Sequence, residues 1–406
     1  MESLREMYKA GYGPSSSHTL APMRACLMFK EITPDATRYE VELYGSLALT
    51  GKGHYTDEII LKTLAPIPTQ VKFCSHWEHE DQSGLILKGF DAADGLIKEW
   101  VVFSIGGGSI KVLNEDFDFQ RQVYPHESFN DIVSFCKAHN MNLAQYVYHF
   151  EPDIKPYLSE MLDAMFKSVY DGINTQGVLP GPLQLVKVAR DLWLKANSLS
   201  SNEKQKRLKL VAYAYAANEQ NASNQIVVTA PTMGACGVMA SFMYYAYHDL
   251  GFSKHRLVDA MAVAGIIGNL IKHNATISGA VGGCQAEVGS ATSMTAAAKA
   301  FLDGHSLKVI EVAAEIAMEH HLGLTCDPIG GFVMIPCIER NGAAILRAFD
   351  AVFMAENLSV LKDNFVQFDD VIATMNYTGS KIAVELKETS LGGLATIVRQ
   401  NKKTAP

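Results

Sequence analysis

The texture of this chain changes partway along, and that change restricts its folds more than any single motif. Up to about Leu143 the pattern alternates. "YEVELYGSLAL" (39–49) and "IKEWVVFSIGGGSIKVL" (97–113) are rich in Val, Ile, Tyr and Phe, are bounded by Gly, and read as strands. "APMRACLMFKEI" (21–32) and "YTDEIILKTLA" (55–65) carry Pro22 and Asp57 near their starts and read as helices. Beyond Leu143 strand-like windows almost vanish, and Ala- and Met-rich helical periods follow one another to the C-terminus. "SEMLDAMFKSVYDGI", "LVKVARDLWLKA", "KRLKLVAYAYAANEQ" and "HSLKVIEVAAEIAMEH" are examples. Several are apolar on more than one face, as helices enclosed by other helices are. The sequence therefore predicts an α+β protein. An N-terminal α/β sandwich-like domain spans 1–148, a linker containing "HFEPDIKP" covers 149–165, and a large all-helical domain spans 166–406.

Of the 406 residues, 48% are apolar and 19% charged, which excludes a disordered chain and leaves ample material for large cores. The net charge of −8, with no basic run interleaved with aromatics, argues against nucleic acid or an anionic membrane surface as partner. The oiliest run, "LVDAMAVAGIIGNLI" (257–271), is too short to span a bilayer and contains Asp259 and Asn269. "MESLREMYKAG" lacks the long apolar core of a signal peptide, so a cytoplasmic protein is expected. Oily helices with modest charge suggest a homodimer.

Seven cysteines in a chain without an export signal argue against a disulfide framework. Cys26, Cys74, Cys136 and Cys236 read as small buried hydrophobes. Cys284 in "SGAVGGCQAEVG", Cys326 in "HLGLTCDPIGG" and Cys337 in "MIPCIERN" differ, because Gly or Pro flanks each and interrupts an otherwise helical region. Their separations of 42 and 11 residues match neither a Cys-x-x-Cys zinc pair nor a clustered ferredoxin run. Spacing leaves two readings open: packing, or a three-thiolate site for zinc or an iron–sulfur cluster. Near the N-terminus, "GPSSSHT" (13–19) is either a capped turn before a helix or half of a binding site. "SIGGGSI" (104–110) is either a tight strand connection or a backbone cradle for an anion.

"GPSSSHT", "YGSLALTGKGHYTD", "SIGGG", "TAPTMGACG", "KHNATISGAVGGCQAEVG", "EHHLGLTCDPIGGFVMIPCIERN" and "KETSLGGLA" together closely resemble the iron–sulfur-dependent L-serine dehydratases, or L-serine ammonia-lyases. The match runs from near residue 1 to about 395, with that family's β-domain followed by its α-domain on one chain. The resemblance implies a [4Fe–4S] cluster held by Cys284, Cys326 and Cys337. It also implies conversion of L-serine to pyruvate and ammonia without pyridoxal phosphate.

That reaction needs a base for the Cα proton and a Lewis acid for the β-hydroxyl. The resemblance points to His54 as the base, and to His18 with Ser16, Ser17 and Thr19 as holders of substrate or base. Lys272, Asn274 and Arg340 are further polar candidates by their nearness in sequence to the cysteines. Arg340 is suited to clamp the carboxylate, or to pair with Glu339 or Glu319. Three departures from the resembled family stand out. No cysteine follows Cys337, so inhibition by a C-terminal thiolate is not expected. Met233 stands where asparagine is common, and segment 149–165 is too short for an inserted regulatory module. A cluster-dependent L-cysteine desulfhydrase or L-threonine dehydratase, and an iron–sulfur redox sensor, are the competing readings.

Overall fold

The computed structural model describes residues 1–79, 83–116 and 122–398. Its N-terminal sheet has five strands: β2 (Arg38–Gly45), β3 (Thr69–Phe73), β4 (Ser83–Phe90), β5 (Leu96–Gly106) and β6 (Ser109–Val112), following β1 (Ala10–Tyr12) in the chain. Their spatial order is β3-β2-β4-β5-β6, with β2 and β3 parallel and the other neighbours antiparallel. Alternation along β2 sends Tyr39, Val41 and Leu43 into a core with Ala25, Cys26 and Phe29 of helix Ala21–Ile32. The other face carries ion pairs, Glu40 with Lys72 at 3.1 Å and Glu42 with Lys88 at 3.3 Å. Helices therefore cover one side of the sheet.

Helix Ala21–Ile32 occupies the expected range, with Pro22 in its first turn where a missing N–H costs nothing. The strand expected over 39–49 stops at Gly45, whose φ of 57° turns the chain into the short helix Ser46–Thr50. The Gly-rich connection after β5 is a tight strand-to-strand turn, with Gly106, Gly107 and Gly108 at φ 98°, 59° and 78°. A Cβ on Gly107 would lie 2.7 Å from Ile277 Cδ1, and one on Gly108 2.5 Å from Leu20 Cδ2. Only glycines let this turn wedge against the helical body.

In that body helices Cys236–His248, Lys254–Asn274 and Ser290–Leu302 are buried on nearly every face, as their all-round apolar sequences require. Around them pack Ile154–Ile173, Asn202–Ala222, Leu307–Glu319 and Cys337–Leu358. Strand β1 pairs antiparallel with β7 (Ile226–Val228), a ribbon the sequence pattern did not reveal because each strand is three residues long.

Residues 149–165 do not form the expected linker. Helix Leu143–Phe150 ends within them and helix Ile154–Ile173 begins. Pro156 is tolerated because it sits in a first turn, where backbone N–H groups have no intrahelical partner. The cores divide the chain differently from its texture. Residues from Ala21 to Val112 build the sheet core, whereas Met1, Leu4, Met7, Tyr8 and Leu20 join Tyr124 and the later helices. Among the described residues no helix is long and apolar enough to cross a membrane.

Candidate active site

The loops that follow β1 and β7 leave opposite ends of the antiparallel ribbon and curl back to one place, where the Met233 amide reaches Ser16 Oγ and Ser15 and Gly234 line one cavity. There they meet the three helix-breaking cysteines. A small cavity of about 20 Å³ is lined by Ser15, His54, Gly234, Glu287 and Glu388 together with Cys284, Cys326 and Cys337. Cys284 precedes a π-helical turn, Gln285–Gly289, and Cys337 opens helix Cys337–Leu358. Cys326 lies in an extended stretch that pairs with the C-terminal segment at Lys387. None is in a disulfide.

"GPSSSHT" proves to be a cap and a wall at once. Ser15 caps the π-helical turn Ser16–Leu20, its Oγ accepting from His18 N at 3.2 Å, and that turn runs directly into helix Ala21–Ile32. Thr19 Oγ1 donates to the carbonyl of His54 at 3.0 Å and so ties the two histidine loops together. The imidazoles of His18 and His54 stack with centroids 4.2 Å apart, both fully buried. Gly53 is required beside them, since a Cβ there would lie 2.8 Å from the carbonyl oxygen of Gly331.

Thr50 sets both histidine tautomers. Its carbonyl accepts from His54 Nδ1 at 2.9 Å, which leaves His54 Nε2 unprotonated, and that buried atom has no partner. Thr50 Oγ1 donates to the carbonyl of Ser46 at 3.0 Å, so at 2.9 Å from His18 Nε2 it accepts, and His18 Nδ1 is the bare nitrogen. Burial pushes His54 down to about 4 and His18 well below its ordinary value. Both rings are neutral near pH 7, the form a base requires.

Glu388 Oε1 lies 3.6 Å from His18 Nδ1. His18, His54 and Glu388 offer three ligand-type atoms within 4.8 Å of one another. Burial, with the Cys284 charge second, raises Glu388 to about 7. Burial, Glu388 and Cys284 together push Glu287 well above the carboxylate range. Within the thiol pair, a hydrogen bond from Cys326 and the Arg340 charge hold Cys284 down, while the same bond and burial push Cys326 up.

The other expected residues lie elsewhere or are already engaged. Ser16 Oγ accepts from the amide of Met233 at 3.3 Å, and the carbonyl of Ser17 accepts from Ser104 Oγ at 3.0 Å. Met233 is fully buried and offers this backbone donor where a polar side chain was expected. Arg340 is committed to the carbonyl of Thr325 at 2.7 Å and to Asp327 at 3.3 Å, a partner not foreseen in place of Glu339 or Glu319. It braces the Cys326 loop. Lys272 pairs with Glu2 at 2.6 Å and Ser109 at 3.2 Å, and exposed Asn274 donates to the carbonyl of Glu127 at 2.7 Å. Neither lines the cysteine cavity. Sequence reasoning passed over Glu287 and Glu388, although each acid stands inside a Gly-, Cys- or Ser-flanked motif, "CQAEVG" and "KETSLGG".

The chain is similar to known proteins along almost its whole length. A model of the serine dehydratase beta chain matches residues 3–76, and one of the serine dehydratase alpha chain matches residues 53–395. L-serine dehydratase of Helicobacter pylori strain J99 is 36% identical over 98% of this chain and 99% of its own length. L-serine dehydratase 1 of Escherichia coli K12 is 37% identical, with 98% and 100% covered. L-serine dehydratase of Streptomyces coelicolor is 35% identical, with 97% and 98% covered. With beta- and alpha-chain regions fused in order on one polypeptide, this chain belongs to the serine dehydratase family.

Proposed function

We propose that this chain is an L-serine ammonia-lyase that converts L-serine to pyruvate and ammonia, with a [4Fe–4S] cluster held by Cys284, Cys326 and Cys337. One observation carries the reading. The bare Nε2 of His54, buried and unpartnered, belongs to a residue that lines the same cavity as the three cysteines.

The donor set fits a cluster better than a single ion. A tetrahedral zinc with Zn–S near 2.3 Å holds its sulfurs about 3.8 Å apart. Cys284 and Cys326 are hydrogen-bonded to each other, but the three thiols do not all lie within 4.8 Å of one another, a limit that as a trio only His18, His54 and Glu388 meet among the described residues. Soft sulfur donors spread around a cavity suit a polynuclear iron–sulfur group. Cluster binding then requires the raised thiols of Cys326 and Cys337 to lose their protons, which the Arg340 charge beside them favours. When bound, the cluster supplies an open iron as Lewis acid for the substrate hydroxyl.

The chain supplies the rest. His54 Nε2 takes the Cα proton, the freed pair forms the Cα–Cβ double bond, and the β-hydroxyl departs with the C–O pair. The carbonyl of Thr50 holds Nδ1–H and so stabilises the imidazolium that forms. The product, 2-aminoacrylate, tautomerises to the imine, which water hydrolyses to pyruvate and ammonium. Thr19 ties the two histidine loops together and Gly53 packs against Gly331 beyond Cys326, so His54 is fully buried and water at the base is limited.

Anaerobic reconstitution with iron and sulfide, followed by assays on L-serine, L-cysteine and L-threonine, tests the reading. Pyruvate from L-serine at the highest kcat/KM is expected. A preference for L-cysteine or L-threonine would move the assignment to the desulfhydrase or the threonine dehydratase, and no turnover by loaded protein to a redox sensor.

A further inference from the structure

Resting on that reading, we propose that Glu388 and His18 form the seat of the substrate's α-ammonium group, and that Glu388 is the residue that selects an amino acid over a hydroxy acid.

Three acceptors converge, His54 Nε2 and the Glu388 carboxylate in the cavity wall and His18 Nδ1 directly behind them. Glu388 Oε2 and His54 Nε2 are buried and have no hydrogen-bond partner. The nearest hydroxyl, Ser15 Oγ, stands 3.4 Å from His18 Nδ1, a long contact. Among the described residues no lysine or arginine is within ion-pair distance of Glu388, whose only such neighbour is His18. Arg340, beside the cysteines, is engaged by Thr325, Asp327 and Cys284. The Glu388 carboxylate takes one backbone N–H, from Ala280, but buried acceptors left bare, as Glu388 Oε2 and His54 Nε2 are, are costly and so complementary to an incoming cation rich in N–H groups. An α-ammonium brings three N–H donors and a positive charge. A hydroxyl brings one donor and none.

The seat is rigid and lies where the reaction needs it. The amide of Cys326 donates to the carbonyl of Leu386 at 2.8 Å, and the amide of Glu388 donates to the carbonyl of Cys326 at 2.7 Å. These bonds fix Glu388 against a cysteine loop. Ammonium and proton are both borne by Cα, so the group holding one must adjoin the base taking the other. The 4.2 Å stack of His18 on His54 meets that condition, with Glu388 and His18 Nδ1 on the nitrogen and His54 Nε2 left for the proton.

The test compares L-serine with L-glycerate, which carries a hydroxyl in place of the ammonium, on reconstituted wild-type and E388Q enzyme of verified iron content. Wild-type enzyme should bind L-glycerate, as a competitor, about 10- to 100-fold more weakly than L-serine, the factor for one charge-assisted hydrogen bond. E388Q should raise the KM for L-serine by a similar factor with little change in kcat, and should compress the L-serine to L-glycerate ratio towards one. Equal competition by L-glycerate in the wild type overturns the proposal, whether or not E388Q folds and loads. So does a KM unmoved by E388Q while kcat falls, which would make Glu388 an orienter of His18. Absence of any pyruvate from loaded wild-type enzyme would instead sink the function on which the seat rests.

Discussion

The seam between sheet and helical body offers a sharp energetic test at Glu6. Its carboxylate takes Arg24 through both oxygens at 3.1 and 3.2 Å, Lys9 at 3.1 Å and Ser109 Oγ at 2.9 Å. Lys9 in turn donates to the carbonyl of Gly107 at 3.1 Å, so the cluster pins the three-glycine turn to the N-terminal segment. Burial alone would raise Glu6, but Lys9 and Arg24 overcome it and hold the carboxyl down to about 2, against an ordinary 4.5. Lys9 is lowered too, to about 7, because burial and the neighbouring Lys272 and Arg24 outweigh its one carboxylate, so its own charged form is disfavoured. The Glu6 shift is the better measure of the network, since two cations compensate that anion. The distance from 4.5 down to about 2, at about 1.36 kcal/mol per pH unit, makes the ionised state worth about 3 kcal/mol. The folded value lies below the unfolded one, so this stability is complete above pH 4.5 and is lost as pH falls towards 2. E6Q should therefore lower the urea-unfolding free energy by about 3 kcal/mol at pH 7, with about 1 kcal/mol of that difference gone by pH 4. A difference below about 1 kcal/mol at pH 7, or one that does not shrink on acidification, would refute the reasoning.

Three other substitutions probe the site. C326A should leave a folded chain whose iron content after reconstitution falls far below the wild type's about four per chain, measured by metal analysis. G53A places a methyl 2.8 Å from the Gly331 carbonyl and should displace the His54 loop. Its kcat should drop by about 100-fold while iron content holds, as expected for a misplaced base, and an unchanged kcat would show the loop to be compliant. K272M should leave the KM for L-serine unchanged, because Lys272 serves Glu2 and Ser109 outside the cavity. A raised KM would return Lys272 to the binding site.

Much of this architecture was legible in the residues. Helix boundaries at 21–32 follow from a period of 3.6 and an early proline, and the Gly and Pro beside Cys284, Cys326 and Cys337 mark the breaks in helix at which all three reach one cavity. Lys272 and Asn274 show where such reading fails. They precede "ISGAVGGC" in sequence, yet they end helix Lys254–Asn274 on the side of Glu2 and Glu127, so nearness along the chain is not nearness in space. Glu287 and Glu388 were missed for a different reason. A carboxylate in a sequence looks solvated, and only the fold shows these two lining one cavity with three thiols and His54. Segment 149–165 misled because prolines and acids mark both linkers and helix first turns.

The central claim is that one site joins a base from the N-terminal loops to a cluster on the helical body. Reconstituted H54A measures this most directly, by iron and sulfide content and by pyruvate formed from L-serine in the same preparation. The account predicts wild-type cluster content with kcat reduced by about 10²- to 10⁴-fold. Near-wild-type turnover by cluster-loaded H54A would contradict it.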